Sequence, residues 1–138
     1  MKKILILFAL LIVGFYANAQ FTSGYKLPAA TTDSIKSGSL TVTKTFALTA
    51  GYSTVSIQPV VTKVSGTVAG TVVLYGTVDG TNYVSTGDTL TLTDVATKTV
   101  IWNVTPAKHA KYRVVAVGTG TMNALLSVWY LARHYKME

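Results

Sequence analysis

The sequence predicts an all-β protein with a single antiparallel β-sandwich of about eight short strands, jelly-roll-like in its pattern. Beyond the N-terminal segment the chain is rich in Val, Thr, Tyr and Leu, and β-branched and aromatic side chains pack well on a pleated surface. Apolar and polar residues alternate, and turn signals recur at roughly the 8 to 12-residue spacing of sandwiches. No segment after residue 20 has the period of an amphipathic helix.

The N-terminal segment has the three parts of a secretory signal. Met1–Lys3 is positively charged, residues 4–15 are almost wholly apolar, and Ala17–Ala19 is a small-x-small cleavage site. We therefore predict a signal peptide over residues 1–19 and an exported, cell-surface or virion-associated protein. The alternative is an uncleaved anchor through residues 4–17, which is shorter than the roughly 20 apolar residues of a membrane-spanning helix.

The remaining length fits one domain. The chain has 138 residues, and single domains commonly contain about 100 to 150. Residues 20–38 are rich in Thr, Ser, Gly, Ala and Lys, which predicts a flexible arm or linker. Residues 39–138 then form the β-sandwich domain.

Composition excludes several kinds of chemistry. The chain has no cysteine, so core packing or oligomerisation must stabilise it without disulfides. Its net charge is +7, but the cations are scattered apart from a cluster at Lys108, Lys111 and Arg113. A scattered excess is typical of a solvated surface, so we do not expect nucleic-acid binding.

The first strands of the domain are predicted from the alternation of side chains along the sequence. Leu40, Val42, Phe46 and Leu48 alternate with Thr41, Thr43, Thr45 and Ala47, and Val55, Ile57 and Val61 share one parity. Pro59 lies within this second run. Because proline has no N–H to donate, it predicts an edge position or a bulge.

The middle of the chain is punctuated by glycine. Gly66–Gly70 predicts a turn, Thr71–Val78 a core strand, and Asp79-Gly80 a tight hairpin turn. Gly87-Asp88 predicts a further turn between a short strand that begins at Tyr83 and a Thr-rich strand that contains Leu90 and Leu92.

The last strands are strongly apolar. We predict strands over Thr99–Val104 and Tyr112–Val117, and a hairpin loop over Gly118–Thr121. Ala124–Leu131 is apolar on both parities, so both faces of this strand must be covered. This predicts self-association, with the subunit interface at Leu125, Trp129 and Leu131.

A catalytic site is not expected. The two histidines, His109 and His134, lie among basic residues near strand ends, where solvated side chains are the favoured interpretation, and no G-x-S-x-G motif is present. Asp79 and Asp88 could share a calcium ion, but both are better explained as turn residues. We therefore predict no metal and no cofactor.

The aromatic residues suggest one contact site. Trp102 and Trp129 lie in apolar strands, so we expect both to be buried. Tyr83 follows the Asp79-Gly80 turn and is the better candidate for an exposed contact.

Three segments resemble small β-sandwich structural proteins of tailed bacteriophages. They are Leu74–Tyr83, with its Thr-x-Asp-Gly-Thr-Asn-Tyr turn, Lys111–Val115, and the Gly118–Thr121 hairpin. The resemblance covers about residues 64 to 133. A similar Asp-Gly-x-x-aromatic turn occurs in discoidin-like jelly-roll modules that bind carbohydrates or lipids.

These resemblances imply two functions. The first is a non-enzymatic structural subunit of a phage-type virion or surface assembly, with copies of itself or other virion proteins as partners. The second is a secreted module that binds a glycan or a cell-surface ligand. The expected ligand or partner contacts are Asp79, Asn82, Tyr83, Lys108, Lys111 and Arg113.

Overall fold

A computed structural model describes residues 25–27, 34–36, 41–48 and 52–134. Within these residues the chain forms ten strands and no helix, which confirms the all-β class. The strands are β1 (Tyr25–Lys26), β2 (Ser34–Lys36), β3 (Thr41–Ala47), β4 (Tyr52–Ser65), β5 (Gly70–Thr77), β6 (Val84–Leu92), β7 (Thr97–Thr99), β8 (Trp102–Val104), β9 (Lys111–Gly118) and β10 (Asn123–His134).

The strands form two antiparallel sheets, as expected for a β-sandwich. The six-stranded sheet has the order β1-β10-β4-β7, with β2 also paired to β10 and β8 to β4. The four-stranded sheet has the order β3-β9-β5-β6. In both sheets the central pairs join strands that are distant in sequence, such as β10 with β4 and β9 with β3.

One hydrophobic core is shared by the inner faces of the two sheets. Burial alternates along β3 and β9, as it must when one face of a strand is packed and the other is exposed. In β10 the buried positions are Ala124, Leu126 and Val128. Phe46 of the four-stranded sheet stacks on Tyr130 of the six-stranded sheet, with ring centroids 4.4 Å apart, so an aromatic contact joins the sheets.

The N-terminal predictions are only partly covered by the described residues. The signal or anchor over residues 1–19 lies outside them. Within residues 20–38, β1 and β2 both pair with β10, and the rest of the expected arm lies outside the described residues. None of the described segments is a helix long and apolar enough to cross a membrane.

The prediction of two strands separated by a turn at Gly87-Asp88 was wrong. Residues 84–92 form one strand, β6, whose register against β5 shifts between Val73 and Tyr75. At this irregularity the Thr86 hydroxyl donates to the Leu74 carbonyl at 3.1 Å, and Gly87 has a φ of 92°. A side chain thus replaces a ladder hydrogen bond, and the strand continues through the bulge.

The segment predicted as one strand over 99–104 is instead two short strands, β7 and β8. Both pair with β4, on either side of Pro59. The Pro59 carbonyl accepts a hydrogen bond from the Thr99 hydroxyl at 2.9 Å, which shows that its backbone faces this interrupted edge. Pro59 therefore lies in a strand paired on both sides, where the missing N–H faces the break between β7 and β8.

Candidate functional site

The turn after β5 is organised by one carboxylate. Asp79 Oδ1 accepts hydrogen bonds from the Thr77 hydroxyl at 2.7 Å, the Thr81 amide at 2.9 Å and the Asn82 amide at 2.8 Å. Asp79 Oδ2 accepts one from Asn82 Nδ2 at 2.7 Å. Gly80 has a φ of 80°, the left-handed conformation that glycine adopts without steric cost. The chain turns at Asp79-Gly80 as predicted, but residues 78–83 form a longer loop between β5 and β6 and not a tight hairpin.

These hydrogen bonds hold Asp79 in its charged form. The Thr77 hydroxyl is the main cause of a strongly lowered pKa of Asp79, and the Thr81 and Asn82 donors lower it further. The carboxylate is ionised, but its oxygens are occupied within the turn. Asp88 likewise accepts a hydrogen bond from its neighbour Thr86, and no group of three metal-ligating side chains occurs among the described residues. Asp79 is therefore a turn residue, whereas Asp88 lies at the bulge within β6.

Arg113 lies between two tyrosines on the outer face of the four-stranded sheet. In the ladder it is opposite Tyr75 of β5 and Thr45 of β3. Its guanidinium carbon lies 4.0 Å from the ring centroid of Tyr83 and 5.5 Å from that of Tyr75. Its Nε is buried and has no hydrogen-bond partner. Cation–π contacts therefore hold this side chain.

Lys111 belongs to the same cluster. It precedes Arg113 by two residues in β9 and lies on the same outer face. It is paired with Thr77 in the ladder, and its ammonium lies beside the α-carbon of Gly80 in the turn. Lys108 lies three residues earlier, in the loop between β8 and β9, with an exposed side chain. The fold thus brings the Asp79–Tyr83 turn together with Lys111 and Arg113, whereas Lys108 lies in the adjoining loop.

His109 is not the solvated side chain that the sequence suggested. Its ring covers Gly76, where a β-carbon would collide with it, and stands edge-on to the buried Tyr112 with centroids 5.5 Å apart. Its Nδ1 is buried without a hydrogen-bond partner. A glycine on the paired strand makes room for this packing, which the local sequence around His109 does not reveal. The His134 side chain lies outside the described residues.

A second candidate surface is the outer face of the six-stranded sheet. Leu125 and Trp129 of β10 are 46% and 40% exposed, and Ile101, between β7 and β8, is 57% exposed. Leu131 of β10 is partly buried and paired with Ser56. A shallow groove of about 410 Å³ follows this face, lined by Ser56, Gln58, Ile101, Asn103, Trp129, Tyr130 and Leu131.

The two tryptophans differ. Trp102 is 5% exposed, which confirms its predicted burial. The expectation that Trp129 is buried within the chain was wrong, because the inner positions of β10 are the even-numbered ones and Trp129 is on the other face. The predicted interface residues Leu125, Trp129 and Leu131 therefore share the outer face.

Two residues of these surfaces, Tyr75 and Ile101, were not among the predicted contacts. In β5, Tyr75 is two residues from Thr77 and therefore points to the same face of the strand. This alternation is the feature of the sequence that could have placed Tyr75 on the outer face with Arg113. Ile101 gives no comparable sign, because it falls in the interruption between β7 and β8, where parity is lost.

The chain was compared with known proteins at three levels. No protein-family model matches it. No curated protein and no solved structure matches it either. The fold and the two surfaces therefore carry the functional argument.

Proposed function

We propose that this protein is a non-enzymatic structural subunit, with a jelly-roll-like sandwich, that associates with copies of itself in a phage-type virion or surface assembly. The observation that carries the proposal is the exposure of Leu125 and Ile101 on the six-stranded sheet, where Ile101 lines the groove and Leu125 lies further along β10. Exposed apolar surface of this kind is typical of a protein–protein contact. The resemblance to phage structural proteins supports the same function.

A second copy is the occupant that the charge distribution favours. The full chain has a net charge of +7, and loss of Lys2 and Lys3 with residues 1–19 leaves +5, so copies repel one another at most approaches. The outer-face residues of β10 from 125 to 131 and of β4 from 56 to 62 include no charged side chain. Two copies that meet through this stretch of β10 and β4 bring no like charges into direct contact, and the cations at its border are Lys26, paired with Trp129 in the ladder, and Arg133 at the end of β10.

Sedimentation of the purified protein tests this proposal. We expect dimers or larger species at micromolar concentrations, and we expect Leu125→Thr and Ile101→Thr to shift the distribution towards monomer. Val117→Thr is the matched control, because Val117 is 41% exposed on the other sheet. A clean monomer across that concentration range, or equal effects of all three substitutions, would argue against the proposed face.

The location of the assembly depends on the N-terminal segment. We propose that residues 1–19 direct export and are removed, so that the domain acts outside the cytoplasm. The charged start, apolar run and Ala17–Ala19 site support this. Mass spectrometry of the protein from its native cell should give an N-terminus at Gln20, and an intact Met1 would instead support a retained anchor.

The second candidate function is a binding module for a glycan or cell-surface ligand. The specific observation in its favour is the cluster formed by Tyr83, Arg113 and Lys111 beside the rigid Asp79 turn. A glycan array should detect binding that Tyr83→Ala abolishes. An array without any bound glycan would remove this candidate and leave the structural function in place.

A further inference from the structure

The guanidinium of Arg113 is held in place without using its terminal donors in an ion pair. Its carbon lies 4.0 Å from the Tyr83 ring centroid, and its Nε is covered and unpaired. Arginine carries five N–H donors in a planar fork. With Nε covered, the two terminal amino groups are the donors that a ligand can reach.

The positive charge of Lys111 and Arg113 is offset only in part, by the ionised Asp79 in the neighbouring turn. Asp94 pairs with Lys63 at 2.7 Å, Asp88 accepts from Thr86, and both oxygens of Asp79 are used within its turn. Among the residues that the structure describes, no carboxylate therefore pairs with Lys111 or Arg113. Two neighbouring cations on one sheet face remain available to an external anion.

The surroundings of the two cations are suited to a sugar. Tyr83 is partly exposed beside Arg113, and an aromatic ring offers an apolar surface with a polar tip. Thr45, opposite Arg113 on β3, is exposed, and its hydroxyl can donate or accept a hydrogen bond. The cluster thus combines a charged fork, a ring and a hydroxyl on one surface.

We propose that Arg113, Lys111 and Tyr83 form a binding site for an acidic sugar, a pyranose that carries a carboxylate. The guanidinium and ammonium bind the carboxylate, Tyr83 packs on the C–H face of the ring, and Thr45 binds a ring hydroxyl. A planar carboxylate matches the geometry of a guanidinium better than it matches a lone ammonium. The inference deepens the second function proposed above and rests on it.

A polyanion such as nucleic acid fits the site less well. Non-specific nucleic-acid binding gains its affinity from many phosphate contacts, whereas this cluster provides two cations. The outer face of the same sheet is otherwise mostly threonine and valine, at Thr41, Thr43, Thr71, Val73, Thr89, Thr91 and Val115. Such a surface is suited to a small polar ligand with one charge.

The test is titration of the isotope-labelled protein, observed by NMR, with an oligosaccharide of glucuronic acid. The matched ligand is the glucose oligosaccharide of the same linkage and length, which lacks only the carboxylates. We expect shifts at Lys111, Arg113 and Tyr83 with the acidic ligand and much weaker binding of the neutral one. Arg113→Lys should reduce the affinity by at least about tenfold, because one charge-assisted fork is lost.

Arg133→Lys is the control variant, since Arg133 is an exposed arginine on the other sheet. This variant should bind the acidic oligosaccharide with the same affinity as the wild type. The wild-type shift map identifies the site even if a variant is poorly folded. Equal binding of both oligosaccharides would overturn the acidic-sugar assignment but keep a glycan-binding function. Absence of any binding would overturn the acidic-sugar assignment, and the glycan array then decides whether the glycan-binding function falls with it. Equal binding of inorganic phosphate, or binding only to vesicles that contain anionic lipid, would overturn the assignment to a sugar.

Discussion

At the scale of the residue, a single carboxylate fixes the loop that carries the candidate contacts. Asp79 accepts four hydrogen bonds from Thr77, Thr81 and Asn82. The Thr77 hydroxyl in turn accepts a hydrogen bond from the Gly80 amide at 3.1 Å. Because the donors are satisfied inside the turn, Tyr83 leaves it in a defined position over Arg113. The loop is therefore pre-organised for a contact rather than shaped by one.

The lowered pKa of Asp79 predicts an acid-sensitive contribution to stability. The folded-state pKa lies below the ordinary value of 3.8, chiefly through the Thr77 hydrogen bond. The contribution is therefore fully present above that value and is lost as the pH falls below it towards the folded-state pKa. Asp79→Asn should be less stable than the wild type at pH 7, and the difference should shrink as the pH falls below 3.8.

Urea unfolding measured from neutral to acidic pH checks this prediction. The same variant at several pH values is its own control, because asparagine does not titrate. A difference in the free energy of unfolding that stays constant across the range would contradict a role for the Asp79 charge.

The two tryptophans show when the alternation of side chains along a strand predicts which residues are buried. Trp102 could be predicted as buried because it lies in an apolar segment, between Val100 and Val104. For Trp129 the same reasoning fails, since Leu125, Leu126 and Val128 make both parities of β10 apolar. Only the pairing of β10 with β4 decides which parity faces the core. Long-range register is the information that the local pattern lacks.

At the scale of the element, glycines mark both true turns and a bulge. Gly66 and Gly80 lie in turns, as the sequence predicts, with φ values of 73° and 80°. Gly87, with a φ of 92°, lies inside β6. A Gly-Asp pair satisfies the backbone of a tight turn and of a bulge equally well. The strand boundaries around Gly87 could therefore not be predicted from the sequence.

Gly87 and Gly66 allow a matched comparison of two glycine-to-alanine substitutions. A β-carbon at Gly87 would meet no atom within 4 Å, whereas one at Gly66 would collide with the backbone carbonyl of Thr121. Gly87→Ala should cost only the conformational strain of positive φ, about 1 to 2 kcal/mol. Gly66→Ala should cost clearly more, because strain and the collision add.

Chemical denaturation of both variants gives the two differences in the free energy of unfolding. Equal losses would mean that the loop between β4 and β5 moves away from Thr121 at little cost. Such a result would contradict the close packing of residues 66 and 121.

At the scale of the whole molecule, the strand edges are poor sites for association. The edge strand β6 of the four-stranded sheet is bulged at 86–88, and one edge of the six-stranded sheet is broken between β7 and β8. The edge strand β3 carries Lys44, which is only 6% exposed on the core-facing side. Bulges, short edge strands and inward-pointing charges all oppose edge-to-edge pairing. Association through the outer face of the six-stranded sheet is therefore the expected mode.

The two surfaces should respond in opposite directions to ionic strength. The proposed self-association surface carries exposed apolar side chains and no charge on β10 from 125 to 131 or on β4 from 56 to 62, while the repulsion between copies arises from the net positive charge, which is +7 for the full chain and +5 without Lys2 and Lys3. Salt screens that repulsion, so raising NaCl from about 0.02 to about 0.5 M should preserve or strengthen self-association. Binding of the acidic oligosaccharide at Lys111 and Arg113 should weaken several-fold over the same range, because screening reduces the attraction between exposed opposite charges.

Sedimentation and NMR titration at matched salt concentrations measure the two responses separately. The Leu125→Thr variant should lose the first response and keep the second, whereas Arg113→Lys should weaken sugar binding and leave self-association unchanged. If self-association weakens as salt rises, ionic contacts hold the copies together, and the interface must then lie outside the uncharged stretch of β10 and β4.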